Sequence, residues 1–101
     1  MYIEEKYLEI VLEILKKYAL LYEVWAFGSR VHGRNLKKFS DLDLVVQQKN
    51  NPKQKIDKKI LQDLKNAFEE SNIPYKVDII DWAVINDDFK QIILKEYKIL
   101  Y

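Results

Sequence analysis

A chain of 101 residues with 49% hydrophobic and 33% charged side chains, only 2 Gly and 2 Pro, has the composition of one compact domain, not of a disordered or repetitive polymer. Seventeen Lys and Arg against 16 Asp and Glu leave a net charge of +1, so no global field recruits nucleic acid or an anionic membrane. The absence of Cys and the single His exclude a disulfide framework, a thiol nucleophile and a multi-His zinc centre.

The first segment sets Ile3, Tyr7, Ile10, Val11, Ile14, Leu15 and Tyr18 on one helical face, with Glu and Lys mostly opposite, and predicts an amphipathic helix. It has no basic start followed by an apolar stretch. No window reaches the roughly 20 apolar residues of a membrane span, so we expect a soluble, cytoplasmic protein with no membrane partner. Tyr22 to Phe27 is β-branched and aromatic and stops at Gly28-Ser29, which predicts a strand running into a turn. Arg30 to Phe39 reads as a short helix plus a basic loop, and Leu42 to Val46 as a central strand, because its apolar residues run almost without break. Gln47 to Gln54 is polar, contains Pro52, and predicts a flexible loop.

Helical spacing returns from Lys55 to Ser71 and ends at Asn72-Ile73-Pro74. Lys76 to Asp81 predicts a third strand. Asn86-Asp87-Asp88 predicts an N-cap with an acidic first turn, opening a helix with Phe89, Ile92 and Ile93 inward, and Lys98 to Tyr101 a short edge strand. The order is that of one small α/β domain over residues 1–101, a mixed sheet flanked by helices.

Asp41 and Asp43 stand two apart at a strand start, and the period of two turns both carboxylates to one face. A D-x-D alone is as readily a solvated turn. Asp78 changes the balance, because a carboxylate inside an apolar strand is costly unless paired or bound to a cation. If the Asp78 strand lies beside the Asp43 strand, three acidic oxygens converge as metal-assisted phosphoryl or nucleotidyl transfer requires. Asp81, three residues on, faces away and suits a turn or capping role. Gly28-Ser29-Arg30 places a glycine and outward amides at a strand-to-helix turn, a seat for phosphate, and Arg30, His32, Arg34, Lys37 and Lys38 concentrate positive charge beside it. A lone His in such a loop reads as a bystander rather than a base. Trp25 and Trp82 read as core or interface residues.

Taken together, Gly28-Ser29-Arg30-Val31-His32-Gly33, Ser40-Asp41-Leu42-Asp43-Leu44-Val45-Val46 and Val77-Asp78-Ile79-Ile80 resemble the signature of the minimal nucleotidyltransferases of the DNA polymerase beta-like superfamily. The resemblance covers nearly the whole chain, with a Gly33 to Ser40 linker about one residue longer than is usual. It implies transfer of a nucleotide from a triphosphate, usually ATP, with Mg²⁺, two ions in such enzymes, held by Asp41, Asp43 and Asp78. It further implies that Gly28 and Ser29 bind the phosphates, with Arg30 and Arg34 as partners of the phosphate charge. Single-domain members of that family are commonly paired with a HEPN-domain toxin. The resemblance therefore implies an antitoxin that adds AMP to a tyrosine of that ribonuclease, with no stable nucleic-acid binding of its own. Inhibition of the toxin by contact alone and transfer to a small molecule such as an aminoglycoside are the alternatives, and self-association is left open.

Overall fold

The computed structural model describes all residues, Met1–Tyr101. Helix α1 (Glu5–Tyr18) leads into β1 (Tyr22–Phe27), the four-residue α2 (Ser29–His32), β2 (Leu42–Gln48), α3 (Lys58–Glu69), β3 (Val77–Asp81), a 3₁₀ turn (Trp82–Val84), α4 (Asp87–Lys95) and the two-residue β4 (Lys98–Ile99). The strands form one mixed sheet in the order β3-β2-β1-β4, with β1 antiparallel to β2 and β4 and with β3 parallel to β2. The parallel pair is possible because α3 carries the chain back over the sheet between its two strands. No helix is long and apolar enough to cross a membrane.

The two faces of the sheet are covered unequally. On one, Tyr22, Val24, Ala26, Leu42, Leu44, Val46 and Ile79 pack against Val11, Leu15 and Ala19 of the α1 region and Leu64 and Phe68 of α3. Each Leu fully buried there contributes about 1.5–3 kcal/mol, so this layer supplies most of the stability. On the other face Trp25 stacks on Tyr97 with ring centroids 4.4 Å apart and meets Trp82 edge-on at 5.5 Å, while Phe27 meets Phe89 edge-on at 5.7 Å. This smaller cover leaves the end of β2 nearest Gly28 only partly covered, with Asp43 half-buried and Asp78 exposed.

Caps fix the helix starts. Asp57 accepts from Lys59 N and Ile60 N at 2.8 and 3.2 Å, so α3 begins three residues later than its periodicity suggests. Asn86 accepts from Phe89 N at 2.8 Å, as its N-cap position predicts. Asp81 is buried and takes Ile56 N and Ala83 N, both at 2.9 Å, tying the approach to α3 and the 3₁₀ turn to the end of β3. That is the turn and capping role expected of it.

Two expectations are corrected. Gln47 is not in a loop: it is buried at 6% exposure and pairs with Glu23, because β2 continues to Gln48. Of the α4 residues expected inward, only Ile93 is buried. Phe89 is partly exposed and Ile92 is 63% exposed, since α4 rides on the small second face and has nothing beyond it to cover its flank.

Candidate active site

Sheet register assembles the acidic residues. Asp43 of β2 lies opposite Asp78 of β3, and neighbours across a ladder share a face, so both carboxylates stand on the sparsely covered side. On its other flank Asp43 pairs with Phe27, the residue before Gly28. Asp41 lies just outside the strand and is exposed, on the same alternation as Asp43. Burial, then Asp78, then Asp41 push the Asp43 carboxyl up from 3.8 to about 6, against a smaller opposing pull from Lys76. An acid raised in this way gains from a cation that neutralises its neighbours.

Gly28 and Asp43 are in contact from the other side. Gly28 has φ of +80°, and a Cβ there would run into Asp43 Oδ2. The glycine is therefore required twice, for the left-handed backbone and for the approach of the carboxylate. It begins the turn into α2: His32 N donates to Gly28 O at 3.1 Å and Gly33 N to Ser29 O at 2.8 Å. No side chain caps the first amides of α2. Beside Gly28 a cavity of about 290 Å³ opens between α2 and α4, lined by Phe27, His32, Arg34, Phe89, Ile92, Lys95 and Glu96.

The basic residues divide. Arg34 is exposed at this cavity and pairs with Glu96 at 3.2 Å, so its guanidinium stays within reach of an anion. Arg30 is the correction. Its guanidinium is buried, donates from Nε to Ser40 O at 2.8 Å, from Nη1 to Tyr2 O at 3.0 Å and from Nη2 to Lys38 O at 3.1 Å, and lies 3.6 Å from the Tyr75 ring centroid. A side chain so committed holds the basic loop and the residue preceding Asp41; it is not a phosphate ligand. His32 accepts the Arg34 amide on Nδ1 at 3.0 Å, a loop-shaping contact. Sequence reading did not find Phe89, Lys95 and Glu96 beside Gly28, since only the docking of α4 on β1 brings them there.

The structure holds no preassembled trio of acidic or imidazole side chains around one point. For Mg²⁺ that is no obstacle. The ion keeps water and substrate phosphate oxygens in its shell and takes only one or two carboxylates from a protein. Hard oxygen donors and mutual repulsion at a half-buried acid fit such an ion.

The family described as "Polymerase beta, Nucleotidyltransferase" matches residues 9–101. A relative from Haemophilus influenzae, the "Probable protein adenylyltransferase MntA", is 43% identical over 98 residues, which take in 97% of this chain and 82% of the relative.

Proposed function

The chain belongs to the polymerase beta nucleotidyltransferase family, among its minimal members, and from that premise we propose a Mg²⁺-dependent transfer of AMP from ATP to a tyrosine hydroxyl of a HEPN-domain toxin, for which this cytoplasmic protein is the antitoxin. The observation that carries the site assignment is the register setting Asp43 beside Asp78 with Gly28 backed against Asp43. Protein as acceptor is supported by the name of the Haemophilus influenzae relative, a probable protein adenylyltransferase. Residues 1–101 act as one transferase domain.

In this reading Gly28 and Ser29 seat the triphosphate by their backbone amides and the Ser29 hydroxyl, with Arg34 meeting its outer phosphates. Asp41, Asp43 and Asp78 would between them hold Mg²⁺, two ions as in related enzymes, which would supply charge neutralisation at the α-phosphate and the leaving group. The acceptor oxygen forms a bond to the α-phosphorus. The bond from that phosphorus to the α,β-bridging oxygen breaks, and pyrophosphate leaves with the electron pair. The hydroxyl proton passes to the exposed Asp78 carboxylate, and from there to water. Asp41 and Asp43 orient the phosphate, while Phe27 and Phe89 wall its cavity on one side.

The test is the intact mass of the partner HEPN-domain protein after incubation with this protein, ATP and Mg²⁺, beside an Asp41→Asn control. A gain of AMP with the wild type alone is expected. An unchanged mass in a stable complex would replace catalysis by inhibition through contact.

A further inference from the structure

The acids come to the site on separate stretches of chain: Asp41 ends the basic loop, Asp43 lies in β2 and Asp78 in β3. Carboxylates that share a cation hold it well only if the groups behind them fix their spacing. One side chain reaches several of these stretches. Arg30 is the second residue of α2, just past Gly28, and its guanidinium donates to Ser40 O, next to Asp41, and to Lys38 O. The same guanidinium lies 3.6 Å from the centroid of the Tyr75 ring. Tyr75 stands at the entry to β3. Its successor, Lys76, accepts from Leu42 N at 2.9 Å, the bond that opens the β2–β3 ladder between Asp41 and Asp43. From there the register runs Leu42 to Val77 and Asp43 to Asp78, and a slip of one residue would turn Asp78 to the opposite face.

We infer that Tyr75 is a positioning residue of the metal site: its ring, under the Arg30 guanidinium, fixes the entry of β3, and so Asp78, against the loop that delivers Asp41. This rests on the nucleotidyltransferase reading of the three acids. The ring carries the role, because the Tyr75 hydroxyl is buried and makes no hydrogen bond within the chain. Tyr7 of α1 meets the ring edge-on at 6.2 Å, so the main helix of the opposite layer holds it in place for Arg30. The influence on the acids is geometric. No ion pair includes Arg30, and the charges that move the Asp43 carboxyl are Asp78, Asp41 and Lys76. A flat aromatic face suits a guanidinium whose in-plane N–H groups are spent on carbonyls, since it meets the plane and takes no donor. An aliphatic side chain at position 75 offers no such face, and the entry to β3 then loses its tie to Ser40.

The test compares Tyr75→Leu, Tyr75→Phe and, as a control for lost stability alone, Val11→Ala in the core on the other side of the sheet. Each is studied at a temperature where it is folded. Mg²⁺ is titrated against binding of a fluorescent ATP analogue, followed by polarisation, and separately against AMP transfer to the HEPN-domain acceptor. Tyr75→Leu is expected to raise the half-saturating Mg²⁺ concentration about tenfold in both, with binding of the analogue in the absence of Mg²⁺ unchanged. Tyr75→Phe keeps the face under Arg30 and is expected to stay within about twofold of wild type, as is Val11→Ala. If Tyr75→Leu does not fold, Tyr75→Met, which fills more of the ring's volume, decides in its place. An unchanged Mg²⁺ requirement in the aliphatic variant, an equal rise in Val11→Ala, or a Tyr75→Phe as impaired as Tyr75→Leu overturns the positioning role and leaves the transferase reading standing. Wild-type binding that depends on Mg²⁺ without any transfer overturns the activity and leaves the positioning role to be decided by the binding titration. Wild-type binding that ignores Mg²⁺ overturns both.

Discussion

Replacing Arg30 with Met keeps much of the side chain's length and apolar stem but removes the guanidinium from Ser40 O, Tyr2 O and Lys38 O and from the face of Tyr75. Hydrogen bonds to a charged group contribute about 1.5–3 kcal/mol each and a cation over an aromatic ring about 1 kcal/mol more. These do not add, because the freed carbonyls near the surface regain water, and a net loss of about 3–5 kcal/mol is the reasonable sum. At about 4–8 °C per kcal/mol for a domain of this size, the midpoint of thermal unfolding should fall by ~12–40 °C. Circular dichroism melts and urea titrations measure the loss. Binding of a fluorescent ATP analogue, at a temperature where the variant remains folded, measures any direct effect on phosphate. Stability within about 1 kcal/mol of wild type together with a large loss of nucleotide affinity would refute the clamp and return Arg30 to the phosphates.

Asp41→Asn and Asp43→Asn are expected to abolish AMP transfer with melting temperatures at or above the wild-type value without metal, and Asp78→Asn to cut turnover more than ATP affinity; paired activity and binding titrations check both. The raised Asp43 carboxyl means that the native state holds its proton more tightly than the unfolded chain, so its contribution favours folding at low pH and is lost as pH rises from about 4 through about 6. For a half-buried group, after screening by solvent, this is on the order of 1–2 kcal/mol, and Mg²⁺ should raise the melting temperature more at pH 7.5 than at pH 5. An equal Mg²⁺ effect at both values would count against the ion binding at Asp43. Gly28→Ala should cost about 1–2 kcal/mol from its positive φ and also displace Asp43. Gly33→Ala, at φ of +81° but facing the Tyr2 ring, should lose comparable stability and retain nucleotide binding, as a melt and a titration of each will show.

Much of this arrangement was legible because local chemistry and long-range packing agree. β1 spans Tyr22–Phe27 as its β-branched and aromatic run indicates, and the continuous apolar stretch of β2 marks a strand with neighbours on both sides. The pairing of Asp43 with Asp78 was legible only as a condition, since one sequence shows that each faces out of its strand but not which strands are neighbours. What misled was charge and polarity read without tertiary context. Arg30 looks like part of a basic loop, yet its partners are backbone carbonyls at Tyr2, Lys38 and Ser40, which no residue pattern displays. Gln47 looks like the start of a loop because its polarity conceals the pairing that buries it. Ile92 has core spacing on a helix whose outer flank meets only solvent.

The crossover through α3 also governs the order of events as the chain folds. β1 meets β2 through the shorter connection, residues 28–41 with α2, but β2 cannot meet β3 until residues 49–76 with the whole of α3 have been laid across the sheet, which is a late closure in a chain governed by contact separation. Until then Asp43 and Asp78 are far apart and do not repel, so their conflict burdens the finished sheet and not its early collapse. A cation binding between them therefore acts on a site that exists only after closure, and its hold is expressed as slower opening of the completed molecule rather than as faster assembly.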